Sequence, residues 1–185
     1  MIKKINLSKK YKLPNKVEFC QRCVISNQRP RIVIDSEGIC SACRYFEYKN
    51  KIDWDKREKE LLQLLDKHRS GNERYDCVVP SSGGKDSAYV AHELKTKYGM
   101  NPLTVTWSPL KYTDIGWKNL NNFNDSGFNV ILGMPQGDVK RRLCREALIE
   151  MGDPFQGFIY GQVLFPVNIA IKFGIELIFR GENAE

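Results

Sequence analysis

From residue 75 onward, short apolar runs alternate with longer stretches whose apolar positions recur every three or four residues. The runs at 75–79, 102–107, 129–132 and 176–179 are brief and rich in Val, Ile, Leu and Thr, which predicts buried strands. The stretches at about 87–98, 115–124, 138–151 and 155–173 have helical period, and Gly99 closes the first of them. Short strands alternating with helices predict an α/β domain on a doubly wound parallel sheet. In such a sheet a ligand lies beyond the carboxyl ends of the strands.

Ahead of this domain the pattern changes. Residues 45–68 are charged, with Trp54, Leu61, Leu62, Leu64 and Leu65 at near-helical spacing. An amphipathic linking helix is expected, its apolar side chains turned to a core and its end set by Ser70-Gly71-Asn72. The expected division is a basic lead-in and cysteine knuckle over 1–48, the linking helix over 49–72 and the α/β domain over 73–185.

Candidate chemistry gathers after the first strand, where Val78-Val79-Pro80 runs into Ser81-Ser82-Gly83-Gly84-Lys85-Asp86-Ser87. Glycines let backbone amides approach an anion, and a helix N-terminus adds its positive dipole end, so this stretch reads as a phosphate cradle. Its spacing is not that of the Walker loop. The competing reading is an ordinary strand-to-helix turn with a capping residue.

Ser82-Gly83-Gly84-Lys85-Asp86-Ser87 resembles the signature of the PP-loop ATP pyrophosphatases. The resemblance implies an enzyme that cleaves ATP between its α and β phosphates, transfers AMP to a substrate oxygen and lets a nitrogen or sulfur nucleophile displace it. On that reading Lys85 pairs with phosphate oxygens, Ser82 and Ser87 donate hydroxyl hydrogen bonds, and Gly83 and Gly84 offer open amides. Asp86 either holds magnesium, which neutralises the leaving pyrophosphate, or caps the helix. Glu182 is a second candidate magnesium ligand, and Gly181 lets the backbone approach the nucleotide. Thr106, Trp107 and Ser108 end the second strand near where an adenosine would lie. Trp107 is either a wall for adenine or substrate, or a packing residue.

Cys20-Gln21-Arg22-Cys23 and Cys40-Ser41-Ala42-Cys43 form two Cys-x2-Cys pairs separated by sixteen residues. The intervening 32–38 stretch reads as a short strand and turn that returns the second pair to the first. Four thiolates with no vacant position select structural zinc. An iron-sulfur cluster and disulfides are the competing readings.

At 185 residues, 42% hydrophobic and 28% charged, the chain suits one soluble globular domain with a small appendage. No stretch approaches the roughly 20 apolar residues of a membrane helix, and Met1-Ile2-Lys3-Lys4-Ile5-Asn6 does not open a secretory signal. A cytoplasmic protein without a membrane partner is expected. Lys and Arg exceed Asp and Glu by seven. The excess lies early: Lys3, Lys4, Lys9, Lys10, Lys12, Lys16, Arg22, Arg29 and Arg31 face only Glu18, Asp35 and Glu37 before residue 40. This is either a nucleic-acid face or a solvated surface. Cys77 in a strand and Cys144 on a charged helix read as inert thiols, and neither His68 nor His92 belongs to a constellation.

The knuckle with Cys20-Gln21-Arg22-Cys23-Val24, Pro30-Arg31 and Gly38-Ile39-Cys40-Ser41-Ala42-Cys43, followed by the glycine loop, is similar to a narrower group, the bacterial N-acetyl sugar amidotransferases of surface polysaccharide biosynthesis. Thr104-Val105-Thr106-Trp107, Tyr112-Thr113-Asp114-Ile115-Gly116, Asn119-Leu120 and Gly181-Glu182-Asn183 extend the resemblance to the end of the chain. It implies that ATP activates the acetamido oxygen of a nucleotide-linked sugar and that ammonia from a separate glutaminase subunit displaces AMP, leaving an acetamidino group. Members of that group are longer, so the α/β domain is expected to be truncated at its C-terminal end. The rival readings are a tRNA-modifying thiolase or ligase of the same fold, and a noncatalytic zinc-bearing nucleotide-binding module.

Overall fold

A computed structural model describes residues 6–10, 12–71 and 74–182. Lys3 and Lys4 of the lead-in, Asn72 of the expected helix break and Asn183 of the C-terminal motif lie outside the described residues. The chain divides into two compact units, Met1–Glu58 and Lys59–Glu185.

The first unit contains α1 (Leu7–Lys10), two antiparallel bridges that pair Phe19 with Ser26 and Ile34 with Cys40, and α2 (Ser41–Lys49). Cys40 is the N-cap of α2, its sulfur accepting from the Cys43 amide. Of the described residues in this unit only Cys20 and Cys40 are buried, while Phe19, Val24, Val33, Tyr45, Phe46 and Tyr48 are exposed. Among its described residues the unit therefore has no apolar core. Arg44 ties its turn together: Nε donates to Asp35 Oδ2 at 2.8 Å, and the guanidinium also reaches Glu37 and Glu47.

One linking helix was expected; two are present, α2 and α3 (Trp54–His68), because the chain turns at 50–53 and Asp53 accepts the Lys56 amide at 2.9 Å to start the second. The division between the units falls within α3. Leu65 is buried and Leu61 packs beside it, but Leu62 and Leu64 are exposed, since each is one residue, about 100° of rotation, away from a packed leucine.

The second unit is mixed α/β: β1 (Cys77–Pro80), α4 (Lys85–Thr96), β2 (Pro102–Trp107), α5 (Asp114–Asp125), β3 (Val130–Gly133), α6 (Gly137–Met151) and α7 (Gln156–Phe173). The three strands form a parallel sheet in the order β1-β2-β3, with Val78 opposite Leu103 and Thr104 opposite Val130. The expected last strand is reduced to one parallel bridge between Ile178 and Val78, made by Val78 N to Leu177 O and Phe179 N to Val78 O, both 2.9 Å. Because β1 already pairs with β2, this segment lies on the opposite edge of β1, and the order of the chain across the sheet reverses there.

Each face of the sheet is covered. Cys77 and Val79 pack with Leu65 of α3, Ala91 and Leu94 of α4 and Phe123 of α5. Val78, Leu103 and Val105 pack with Ile169 and Ala170 of α7. Alternate residues of each strand thus serve opposite cores, the pattern of a sheet between helical layers. Thr104 and Thr106 are buried, with hydroxyls satisfied by the carbonyls of Asn129 and Ser81. At the amino edge, buried Asp76 accepts the Ser70 and Asn101 amides, each at 2.7 Å. Burial opposes its ionisation, but these amides override it and hold the carboxyl below the usual range. No helix among the described residues is long and apolar enough to cross a membrane.

Candidate functional site

The four cysteines of the two pairs converge, their sulfurs all within 4.8 Å of one another. Cys20 Sγ lies 4.0 Å from Cys43 Sγ, and Cys23 Sγ lies 3.6 Å from Cys40 Sγ. A tetrahedral metal bound by sulfurs at about 2.3 Å would hold them about 3.8 Å apart, so the quartet suits a metal ion. Backbone amides point at the sulfurs: Arg22 N and Cys40 N at 3.4 and 3.3 Å from Cys20 Sγ, and Cys43 N at 3.4 Å from Cys40 Sγ. At Cys20 burial opposes ionisation, but the amides of Cys23, Cys40 and Arg22 outweigh it and lower the thiol to about 6. Cys43 is pushed up to about 12 by its hydrogen bond with Cys23, by burial and by its other sulfur neighbours. Without a metal the cluster thus carries thiolate at Cys20 and keeps its proton at Cys43. The turn after Cys23 places Val24 at φ 57°, left-handed backbone that a β-branched residue adopts only under constraint.

In the second unit the glycine loop joins β1 to α4 at the carboxyl end of β1. Its conformation is fixed by Ser81, which sequence reasoning passed over: Ser81 Oγ lies 3.2 Å from Ser87 Oγ and accepts the Gly83 amide at 3.3 Å, while Ser81 O accepts Thr106 Oγ1. The hydroxyl of Thr106 is therefore turned into the scaffold. Its strand-end position was legible, but its hydrogen-bonding capacity is committed to the loop. Ser87 Oγ donates to Gly84 O at 3.3 Å.

The helix N-cap is Gly84, with no side-chain capping bond. Asp86 sits in the first turn instead, so the capping reading of that carboxylate does not describe this helix, and the first-turn amides keep their capacity to bind an anion. Gly83 has φ 76°, and a Cβ there would stand 3.0 Å from the Leu120 amide nitrogen of α5. A Cβ on Gly181 would stand 2.9 Å from the Ser87 nitrogen. Gly83 is required by the close approach of the α5 backbone and Gly181 by that of the first turn of α4.

A cleft of about 40 Å³ brings Ser82, Ser87, Trp107 and Glu182 together. Lys85 and Asp86 project into solvent with Lys85 Nζ 3.9 Å from Asp86 Oδ1. Trp107 leans on Phe165 with ring centroids 5.2 Å apart, and Gly161 of α7 leaves it room. It is both packed and exposed to the cleft, which joins the two readings of this residue. Cys77, fully buried, is pushed up to about 12 by burial and by Asp76, as suits an inert thiol. His68 Nδ1 lies 3.9 Å from Glu176 Oε2, away from the loop at the other edge of the sheet.

No known family model matches the chain. A stretch of 87 residues, 46% of the chain, is 31% identical to an uncharacterised protein of Methanocaldococcus jannaschii, and it spans 31% of that protein's length.

Proposed function

We propose that the chain is a PP-loop-type adenylating enzyme of doubly wound fold that activates the acetamido oxygen of an N-acetylated, nucleotide-linked sugar for attack by ammonia. One observation carries the ATP half of this reading. The first-turn amides of α4 have no side-chain cap, Gly181 packs directly against them, and they stand at the edge where the chain order across the sheet reverses.

In this reading the loop amides and Lys85 hold the β and γ phosphates, the Ser82 hydroxyl orients the phosphate to be cleaved, and Ser87, whose hydroxyl donates to Gly84 O, supports the loop beside it. Asp86 and Glu182 offer carboxylates at the rim, where magnesium would neutralise the departing pyrophosphate. The acetamide oxygen attacks the α phosphorus, the bond to the β-phosphate bridging oxygen breaks, and pyrophosphate leaves. Ammonia from a separate glutaminase subunit then adds to the imidate carbon and AMP departs. Zinc is assigned to the cysteine quartet as a structural ion, since four thiolates leave no position for substrate.

ATP–pyrophosphate exchange tests the reading. Exchange dependent on an acetamido nucleotide sugar, and abolished by Asp86→Ala with zinc still bound, supports it. Exchange with Asp86→Ala undiminished contradicts the site.

One observation favours a tRNA-modifying enzyme as the second reading. Residues 1–58 carry 14 Lys and Arg against 7 Asp and Glu, the whole of the chain's net +7, while 59–185 balance at 15 and 15. Exposed Phe19, Tyr45, Phe46 and Tyr48 in the same unit offer stacking surfaces of the kind single-stranded RNA uses. Exchange stimulated by bulk tRNA and not by the sugar would select it.

A further inference from the structure

Beyond the carboxyl ends of β2 and β3 lies a cavity of about 690 Å³, within the size range of small-molecule sites. We propose that it is a second ligand subsite, separate from the glycine loop, and that it takes the diphosphate ester of a ring compound, a nucleoside diphosphate or its sugar conjugate. Its identification as the acceptor site rests on the reading above; its capacity to bind does not.

Three features specify this chemistry. The first is charge. Lys111, Lys140 and Arg141 line the cavity and no carboxylate does among the described residues. Lys140 Nζ holds the carbonyls of Ser108 and Pro109, fixing the turn after β2, and its third hydrogen remains for a ligand. Arg141 shares one amine with Asp138, which stands outside the lining, and keeps the rest of its fork.

The second is the start of α6. Gly137 reaches the wall as the first residue of this helix, and the N-cap Gln136 makes no side-chain capping bond. Its open amides and the two flexible cations suit two adjacent phosphate groups.

The third is an aromatic floor. Tyr112 and Trp117 stack with centroids 4.2 Å apart and planes 29° apart, and both line the cavity. Trp117, partly exposed, offers the stack a face to a ring compound. Arg141 and Gly137 of α6 line the same cavity.

The cavity is linked to the loop through two aromatic side chains. Trp107 and Phe158 line both the cleft beside Ser82 and a smaller hollow whose walls include Lys140 and Cys144, which the large cavity shares. A ligand here and a nucleotide on the loop would meet across Trp107.

Calorimetric titration of the full zinc-loaded chain with uridine diphosphate, and separately with ATP and magnesium, tests this. Arg141→Gln and Trp117→Leu should each weaken uridine diphosphate about tenfold or more and leave ATP within about twofold. Lys85→Ala should do the reverse. Arg141 is exposed, so its variant keeps the fold even if Trp117→Leu does not. No uridine diphosphate binding by the parent protein would overturn the proposal, as would losses that follow Lys85 rather than Arg141. Weakened ATP in Arg141→Gln, with uridine diphosphate unchanged, would assign the cavity to ATP and also overturn it. If ATP fails to bind while uridine diphosphate binds through Arg141, the adenylating function falls and this subsite stands.

Discussion

Removing the metal from the cysteine quartet should unfold residues 1–58 and leave the α/β unit folded. Among the described residues of the first unit only Cys20 and Cys40 are buried, so hydrophobic burial there is close to nil. A structural zinc ion at the quartet would contribute about 10–16 kcal/mol, a stabilisation that apolar burial in this unit does not supply. The fold of the turns around Cys20 and Cys40 should therefore depend on it. It also carries a cost at Val24, whose left-handed backbone is worth about 1–2 kcal/mol. Zinc-loaded and chelated protein can be compared by limited proteolysis with mass mapping. Chelation should expose sites in 1–58 at once and none in 77–179, and be reversed by zinc. Val24→Gly should raise the chelator concentration needed for half release. Equal protection of 1–58 with and without metal would refute the reasoning. Metal uptake should also release protons near neutral pH, because Cys43, at about 12, must lose its own.

Gly83→Ala combines left-handed backbone with a Cβ 3.0 Å from the α5 backbone, and should cost about 1–3 kcal/mol by thermal unfolding and weaken ATP. Gly181→Ala should weaken ATP with a smaller stability loss, since its backbone is not left-handed but its Cβ would press on the first turn of α4. Asp76 has a folded pKa below its unfolded one, so its contribution is present above about pH 3.9 and is lost as pH falls through the lower folded value. Asp76→Asn should therefore cost about 1.5–3 kcal/mol at neutral pH and flatten the acid limb of the stability curve; an unchanged limb would contradict this.

Much of the second unit was legible because its signals are local. Strands at 102–107 and 129–132 and the four helices after 84 follow from apolar period and from Gly99, which lies at φ 60° just past α4. The cysteine quartet was equally legible, because two Cys-x2-Cys pairs need only a turn between them to converge. What escaped depends on partners distant in sequence. Ser81 matters through Ser87 and Thr106, and nothing in its own neighbourhood distinguishes it from Ser82. Tyr112 read only as part of a family resemblance and Trp117 only as a residue of the helix from about 115, so their stacking was not legible. The last strand shrank to one bridge, and Pro80, two residues beyond Val78, has no amide with which to extend it. Leu62 and Leu64 looked like core by composition, whereas the finer period of 61 and 65 marked the face that packs.

The central claim is that the Ser82–Ser87 loop grips the phosphates of ATP. Isothermal calorimetry of the zinc-loaded chain with ATP and magnesium measures it directly. The account predicts saturable heat at one nucleotide per chain, lost in Lys85→Ala and strongly reduced in Gly83→Ala. Absence of heat from protein whose α/β unit is folded would contradict it.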